Sequence, residues 1–271
     1  MNGLLSMLLP RLPVGRPRIA VLEMYGALGP VIRGPEYVRT ISALAQDPRV
    51  RSVVVDVDSH GGSAPVADSI HRSLQQLSAR KPTVAFIRGA GLSGGYLIAC
   101  GASKVVALPT ALVGSIGVIF MQPVVQELLD RLGVKVVITK EGHLKDMFQP
   151  FREPTAEERE KVQALTGEFY EWFVDAVARS RRLEPKVVRE YATGEMFTAT
   201  KAKEMGLIDE LGDWDTALDM ASEMGRTPRR LQYVRPRRPL LERLLARGGA
   251  SVAGAVAAEL ESRLRPRVEF R

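Results

Sequence analysis

Serine residues beside glycines are the side chains of this sequence whose type and spacing best suit chemistry. The clearest case is Ser93, in the segment Gly89-Ala90-Gly91-Leu92-Ser93-Gly94-Gly95-Tyr96, which follows a short apolar run. Three nearby glycines leave its hydroxyl accessible at the mouth of a predicted helix, where it could act as a nucleophile. A serine at this position can equally be an ordinary helix N-cap. The segment is not a phosphate-binding loop, because it lacks the Gly-Lys-Ser/Thr ending.

The pair Gly61 and Gly62 predicts a tight turn after another apolar run, with backbone N–H groups facing outward at the start of a helix. That arrangement suits the negative charge that develops on oxygen during acyl transfer. A plain strand-to-helix turn accounts for the same residues. His60 and Asp58 precede the pair and suggest a Ser–His–Asp triad as an alternative. However, no Asp-then-His pair follows Ser93 in the order of an α/β-hydrolase.

Ser115 and two lysines complete the set of candidate groups. Ser115 lies in Val113–Gly117, a predicted buried turn in which a hydroxyl needs a hydrogen-bond partner. Lys140 and Lys145 follow a later apolar run, and each is either a base or simply solvated. A lysine accepts a proton only when it is neutral, and burial can lower its pKa from about 10.4 by about 3–5 units.

Alternating strand-like and helix-like segments from Arg18 to about Ile138 must position these groups. The predicted strands are Ile19–Met24, Ser52–Val57, Thr83–Ile87, Val105–Leu108, Ile116–Phe120 and Val134–Ile138, with helices over Pro35–Gln46 and Ser63–Ser78. Short β-branched runs of this kind are typical of strands buried on both faces. The alternation predicts right-handed crossovers and a mostly parallel α/β sheet, in which ligands bind where strands end.

After Pro154 the sequence pattern changes and predicts mainly helices. Thr155 and Glu158 form a capping-box pattern that predicts a long helix to about Ser180. Shorter helices are predicted over Glu184–Tyr191, Thr200–Glu204 and Trp214–Glu223. We divide the chain into a short apolar N-terminal segment (1–17), a catalytic domain (18–225) and a basic C-terminal tail (226–271). In the tail, a Pro/Arg-rich linker precedes helices near Leu240–Leu245 and Val252–Leu264.

Composition narrows the class of protein. The 271 residues are 45% hydrophobic and 25% charged, which is typical of a globular protein. The net charge of +7 comes from the tail. Residues 226–271 contain 12 Arg and 4 Glu, a balance of +8, which leaves −1 for residues 1–225. We interpret the tail as a solvated arm or a contact for anionic lipid, and not for nucleic acid, because no aromatic platform accompanies the arginines. A single cysteine excludes an intrachain disulfide and a multi-cysteine metal site, and we expect no metal and no cofactor.

Two apolar stretches raise the question of a membrane span. Met1–Pro10 is far shorter than the roughly 20 residues that a span requires. Val105–Gln126 is uncharged and long enough, but prolines and glycines interrupt it, which favours strands joined by turns. We therefore expect a cytoplasmic protein or one that lies peripherally at a membrane.

Five segments together resemble the signal peptide peptidase A group of serine peptidases, which use a Ser–Lys dyad. They are SHGG at 59–62, GLSGGYLIA at 91–99, PTALVGSIGV at 109–118, KEGHLKDMFQPFREPTAEER at 140–159 and GEMFTATKAKEMGLIDELG at 194–212. The resemblance runs from about Arg18 to Asp219. It implies a crotonase/Clp-protease-like αβ superhelix with a helical C-terminal portion, assembled into homo-oligomeric rings, that cleaves peptides such as residual signal peptides.

Carried over residue by residue, the resemblance makes Ser93 the nucleophile and Lys145 its general base, with Ser115 orienting the lysine amine. The backbone N–H groups of Gly62 and Gly94 would form the oxyanion hole. His60 stands where the family usually has proline, Tyr96-Leu97 replaces a commoner pair of tyrosines, and the family's usual N-terminal membrane anchor is reduced to an apolar stretch.

Two other interpretations of the function remain open, together with one further hypothesis about the tail. An acyl-CoA hydratase or isomerase of the crotonase type would share the fold, but such enzymes rely on carboxylates, and none lies between Asp68 and Glu127. A non-catalytic membrane-associated scaffold would use the apolar start and the basic tail. Finally, the end of the tail, Arg267–Arg271, could lie in the substrate groove as an added strand and plug it.

Overall fold

The computed structural model describes residues 15–236. Eight strands are present in this range: β1 (Arg18–Tyr25), β2 (Val50–Ser59), β3 (Thr83–Leu92), β4 (Lys104–Ala107), β5 (Leu112–Gly114), β6 (Met196–Thr198), β7 (Glu210–Leu211) and β8 (Leu231–Val234). The helices are α1 (Gly34–Gln46), α2 (Ala64–Ser78), α3 (Gly94–Ala99), α4 (Gln126–Arg131), α5 (Ala156–Arg181), α6 (Pro185–Tyr191), α7 (Ala199–Glu204) and α8 (Trp214–Gly225).

The strands form one sheet in the order β6-β5-β3-β2-β1-β8, with β4 pairing to β3 and to β7. Every pair is parallel except β5–β6. The predicted mostly parallel α/β sheet is thus confirmed. The first four predicted strands and the helices predicted between Pro35 and Glu223 are also present, with ends that shift by a few residues.

Two hydrophobic cores cover the two faces of the sheet. Alternate residues of β1, such as Leu22 and Met24, join the larger core with α1, α2, α3 and α5, whereas Ile19 joins the smaller core with α8. Because both faces are covered, the central strands are apolar along most of their length. The sheet is therefore a rigid support for the turns that leave its carboxyl-terminal edge.

Two predicted strands are wrong. Ile116–Phe120 has no strand, since β5 ends at Gly114, where Gly114 and Ser115 both adopt positive φ and turn the chain away. Val134–Ile138 has no strand either, and it is solvent-exposed. A β-branched run becomes a strand only where a neighbouring strand offers hydrogen bonds, and neither segment has one.

The stretch predicted to be a linker after Arg226 contains β8, which pairs in parallel with β1 from Ile19 to Leu22. The linker interpretation was wrong there. The prolines and arginines on either side are typical of a linker, so the short strand Leu-Gln-Tyr-Val between them was overlooked. Met1–Pro10, the two predicted tail helices and Arg267–Arg271 lie outside the described residues. Within residues 15–236, no helix combines the length and the apolar character needed to cross a bilayer.

Candidate active site

Ser93 occupies a strained junction between β3 and α3. Its backbone has φ 50° and ψ −123°, a region that side-chain-bearing residues rarely adopt. Its N–H donates to the Gly114 carbonyl at 2.8 Å, which ties the junction to β5. The residue stands at the N-cap position, yet its side chain makes no capping hydrogen bond. The ordinary N-cap interpretation is therefore unsupported, and the hydroxyl is available for another role.

The Gly61–Gly62 turn packs directly against this junction. Both glycines have positive φ, and a Cβ on Gly61 would lie 2.9 Å from the Gly94 nitrogen. A Cβ on Gly62 would lie 2.5 Å from the carbonyl oxygen of Leu28. Side chains are thus excluded from the turn by both conformation and space.

The N–H groups of Gly62 and Gly94 are free to face a ligand. In the described range, the N–H of Gly62 donates to no acceptor; the neighbouring bonds are Leu28 N–H to Gly61 and Ser63 N–H to Leu28. Gly94 begins α3, and the first turn of a helix leaves its N–H groups without intrahelical acceptors. Two such donors beside a serine can stabilise an oxyanion.

Ser115 directly follows β5, the strand that pairs with β3, just as Ser93 directly follows β3. Leu92 of β3 pairs with Gly114 of β5, so the residues that follow them are neighbours across the sheet edge. Ser115 also has φ 50°, and its N–H donates to the Glu195 carbonyl at 2.6 Å. The structure thus brings Ser93, Ser115, Gly62 and Gly94 together, while their roles stay predictions.

All four residues line one cavity of about 740 Å³. Apolar side chains from α5 and from the segment after β5 form its walls, including Val118, Ile119, Phe120, Phe148, Val162, Leu165, Phe169 and Phe173. Among residues 15–236, no Asp, Glu, Lys or Arg lines the cavity, and His60 and Tyr170 are its ionisable members. Because burying an unpaired charge is costly, the cavity suits an uncharged, apolar ligand.

Lys145 is not part of this cavity. Its side chain is exposed, and within the described part of the chain it makes no hydrogen bond or ion pair. It belongs to residues 117–154, here called the extension, whose Phe148 does line the cavity. The predicted base is thus exposed to solvent, although it lies only three residues along the chain from Phe148 in the cavity wall.

The extension carries most of the exposed large apolar side chains of the described range: Ile119, Phe120, Met121, Val124, Leu128, Leu132, Val134, Val136, Val137, Ile138, Phe148 and Phe151. Its one helix, α4, buries no residue. Exposed large apolar side chains in such number within one segment are typical of a place where another surface binds.

An ion-pair network fixes the end of the extension to the start of α5. Arg152 contacts Asp146 at 3.0 Å and Glu158 at 2.5 Å, and Lys140 binds the other oxygen of Asp146. Hydrogen bonds from Lys140 and Arg152 hold the pKa of Asp146 below its ordinary value. Those from Arg152 and Thr155 lower the pKa of Glu158 to about 2.

The predicted capping box is confirmed, because Thr155 and Glu158 bond each other's backbone N–H groups. The ion pair between Glu158 and Arg152 was missed. Its only signal in the sequence was the cluster of opposite charges from 140 to 159.

The histidines do not form a triad. His60 is exposed at the cavity wall, and the Asp58 carboxylate instead accepts the Ala90 N–H at 3.0 Å. His71 is buried on α2, where burial lowers its pKa, and its Nδ1 lies 2.8 Å from the Leu97 carbonyl of α3. His71 thus helps to hold the helix that begins beside Ser93, a contact that helical periodicity alone could not reveal.

The profile described as peptidase family S49 matches residues 75–226 of the chain, which is more than half of its length. A protein of Synechocystis that is named as a protease is 33% identical over 232 residues, covering 84% of this chain and 83% of that protein. A protein of Enterococcus faecium named as the signal peptide peptidase SppA is 32% identical over 184 residues. That match covers 68% of this chain and 54% of the Enterococcus protein.

Among solved structures, a membrane-bound stomatin-specific protease in complex with a substrate peptide has a similar fold. The TM-score is 0.53 with 15% sequence identity, over 86% of this chain and 98% of that one. At this identity the likeness concerns the fold alone, and it agrees with the predicted mostly parallel α/β architecture.

Proposed function

Since this chain belongs to peptidase family S49 and is classed with the serine-type peptidases, we propose that it is an endopeptidase whose nucleophile is Ser93. One observation carries the proposal. An uncapped serine hydroxyl at a strained strand–helix junction shares an uncharged cavity with two free backbone N–H groups. Such a set of groups serves acyl transfer.

In the proposed mechanism, the Oγ of Ser93 attacks the scissile carbonyl while the Lys145 amine takes its proton. The negative charge on the carbonyl oxygen is then stabilised by the N–H groups of Gly62 and Gly94. The lysine returns the proton to the leaving amine, which leaves an acyl-enzyme on Ser93. Water, activated by the same amine, hydrolyses the ester, and the Ser115 hydroxyl orients the lysine throughout.

Lys145 needs a drier environment for this role than the single chain provides. A neutral amine near pH 7 requires burial, because burial disfavours the ammonium form. The exposed apolar side chains of the extension provide a surface that another copy of the chain can cover. We therefore propose a homo-oligomeric ring in which packing of the extension removes Lys145 from water beside the cavity.

The cavity also indicates the substrate class. Its uncharged, aromatic-rich lining favours extended apolar segments, of which residual signal peptides are one source. The described part of the chain places no carboxylate in the cavity for the chemistry of an acyl-CoA hydratase, so that alternative is not favoured. Peripheral contact of the basic tail with anionic lipid, at the membrane surface where such peptides arise, is part of the same proposal.

Cleavage of casein and of a signal-peptide-like substrate tests the mechanism. Ser93→Ala and Lys145→Ala should each lower kcat/KM by at least about 10³-fold, because each removes a group that acts in the covalent step. Lys135→Ala is the matched control, since Lys135 is also an exposed lysine of the extension. Wild-type activity in either of the first two variants would refute the dyad. So would failure of a serine-reactive probe to label Ser93.

A further inference from the structure

The residue that follows Lys145 in the chain is a carboxylate, and the structure pairs it with two other cations. Asp146 is buried, with 7% of its surface exposed, whereas Lys145 is exposed. Both Asp146 oxygens are occupied, Oδ1 by the Lys140 ammonium and Oδ2 by the Arg152 guanidinium at 3.0 Å. The anion nearest to Lys145 along the chain is therefore fully engaged by other cations.

Arg152 is itself fixed from the opposite side. Its NH1 and NH2 groups donate to the two oxygens of Glu158 at 2.8 and 2.5 Å. Glu158 is 2% exposed and accepts the Thr155 N–H at the start of α5. A guanidinium held by one buried carboxylate on a helix has little freedom to release the other.

The remaining charged groups nearby are accounted for as well. Glu157, in the first turn of α5, contacts the His143 ring at 3.2 Å. Glu141 and Glu153 are the other carboxylates of the loop. Both are exposed to solvent, where their effect is screened, and Glu153 contacts Arg159 at 3.7 Å. Lys145 itself takes part in none of the ion pairs of the described residues.

This arrangement matters because a carboxylate beside an amine stabilises the ammonium form and raises the lysine pKa. We infer that Arg152, together with Lys140, is a positioning residue that withholds the Asp146 carboxylate from Lys145 and so keeps the amine available as a base. The inference rests on the proposed function for its meaning in catalysis. The charge arrangement can be tested without activity.

The direct test measures the titration of the Lys145 amine in the full-length protein. The rate of its modification by an amine-reactive acylating reagent is followed against pH by mass spectrometry, beside the pH profile of kcat/KM. Arg152→Gln frees Asp146, so both the amine titration and the acid limb should move to higher pH by about 1 unit, as expected for a newly adjacent opposite charge. Arg152→Gln/Asp146→Asn should return both toward the wild-type values.

Two further variants separate this role from simple support of the loop. Glu158→Gln weakens the anchor but leaves Arg152 on Asp146, so it should lower the unfolding midpoint without moving the amine titration. Lys140→Gln releases one Asp146 oxygen with the anchor intact, and it should shift the titration in the same direction as Arg152→Gln. It also replaces Arg152→Gln should that variant fail to fold.

A purely structural role predicts a different pattern. Activity would then fall at every pH in Arg152→Gln, the titration would not move, and adding Asp146→Asn would make the loss worse. That result would overturn the inference. Full activity in Lys145→Ala would refute the proposed function instead, while the amine titration would still report whether Asp146 is withheld.

Discussion

The sheet edge and the extension prepare the reaction to different degrees. At the sheet edge, Ser93, Gly62 and Gly94 are locked by backbone hydrogen bonds and by glycine contacts that admit no side chain. The extension instead exposes a row of large apolar side chains, and its lysine lies in water. The comparison indicates that a single chain fully orders the proposed nucleophile and oxyanion donors, whereas the proposed base would depend on a second surface that covers the extension.

The largest effect on activity is expected from a change at the sheet edge, where the backbone already holds the proposed oxyanion donors in place. Gly62→Ala places a Cβ 2.5 Å from the Leu28 carbonyl oxygen at a φ of +138°, so the turn must shift and its N–H must leave the oxyanion position. We expect kcat to fall by about 10²–10³-fold. Gly167→Ala is the control, because nothing lies within 4 Å of the added Cβ on α5, and its activity should be unchanged. Wild-type kcat in Gly62→Ala would remove Gly62 from the oxyanion hole.

A smaller effect on activity is expected from a change in the extension. Val137 is 88% exposed, so Val137→Glu should leave the unfolding midpoint of the isolated chain unchanged while placing a charge on the apolar surface. We expect weaker self-association by light scattering and activity reduced by about tenfold, in proportion to the lost assembly. Lys135→Glu alters charge in the same segment without removing an apolar contact. An assembled and fully active Val137→Glu protein would contradict the proposed role of this surface.

The smallest effect, on stability, is expected at the ion pair between Arg152 of the extension and Glu158 of α5. The pKa of Glu158 is lowered from 4.5 to about 2 by its hydrogen bonds with Arg152 and Thr155. Its contribution to stability is therefore complete above about pH 4.5 and is lost as the pH falls toward 2. Urea midpoints measured across this window should fall less steeply in Glu158→Gln than in wild type. Parallel curves for the two proteins would show that the ion pair adds nothing to stability.

Sequence patterns predicted the centre of the fold well, because there local preference and tertiary context agree. Val53–Val57 is β-branched and becomes a strand between two others, and Thr155 with Glu158 caps α5 as predicted. Val134–Ile138 has the same local preference but no partner strand, so pattern alone misled. The roles of Ser93 and Lys145 stay predictions. The resemblance named both residues, but no spacing revealed that Ser93 lines the cavity whereas Lys145 is exposed.

The two serines of the cavity share one further property with a consequence for the whole molecule. Ser93 and Ser115 both hold φ near 50°, a geometry in which glycine would be at ease. Replacing Ser93 by glycine should therefore remove the strain in the backbone dihedral angles, and it should also abolish the proposed reaction. We therefore expect Ser93→Gly to be more stable than the native protein, which retains a strained backbone at the residue that carries the hydroxyl.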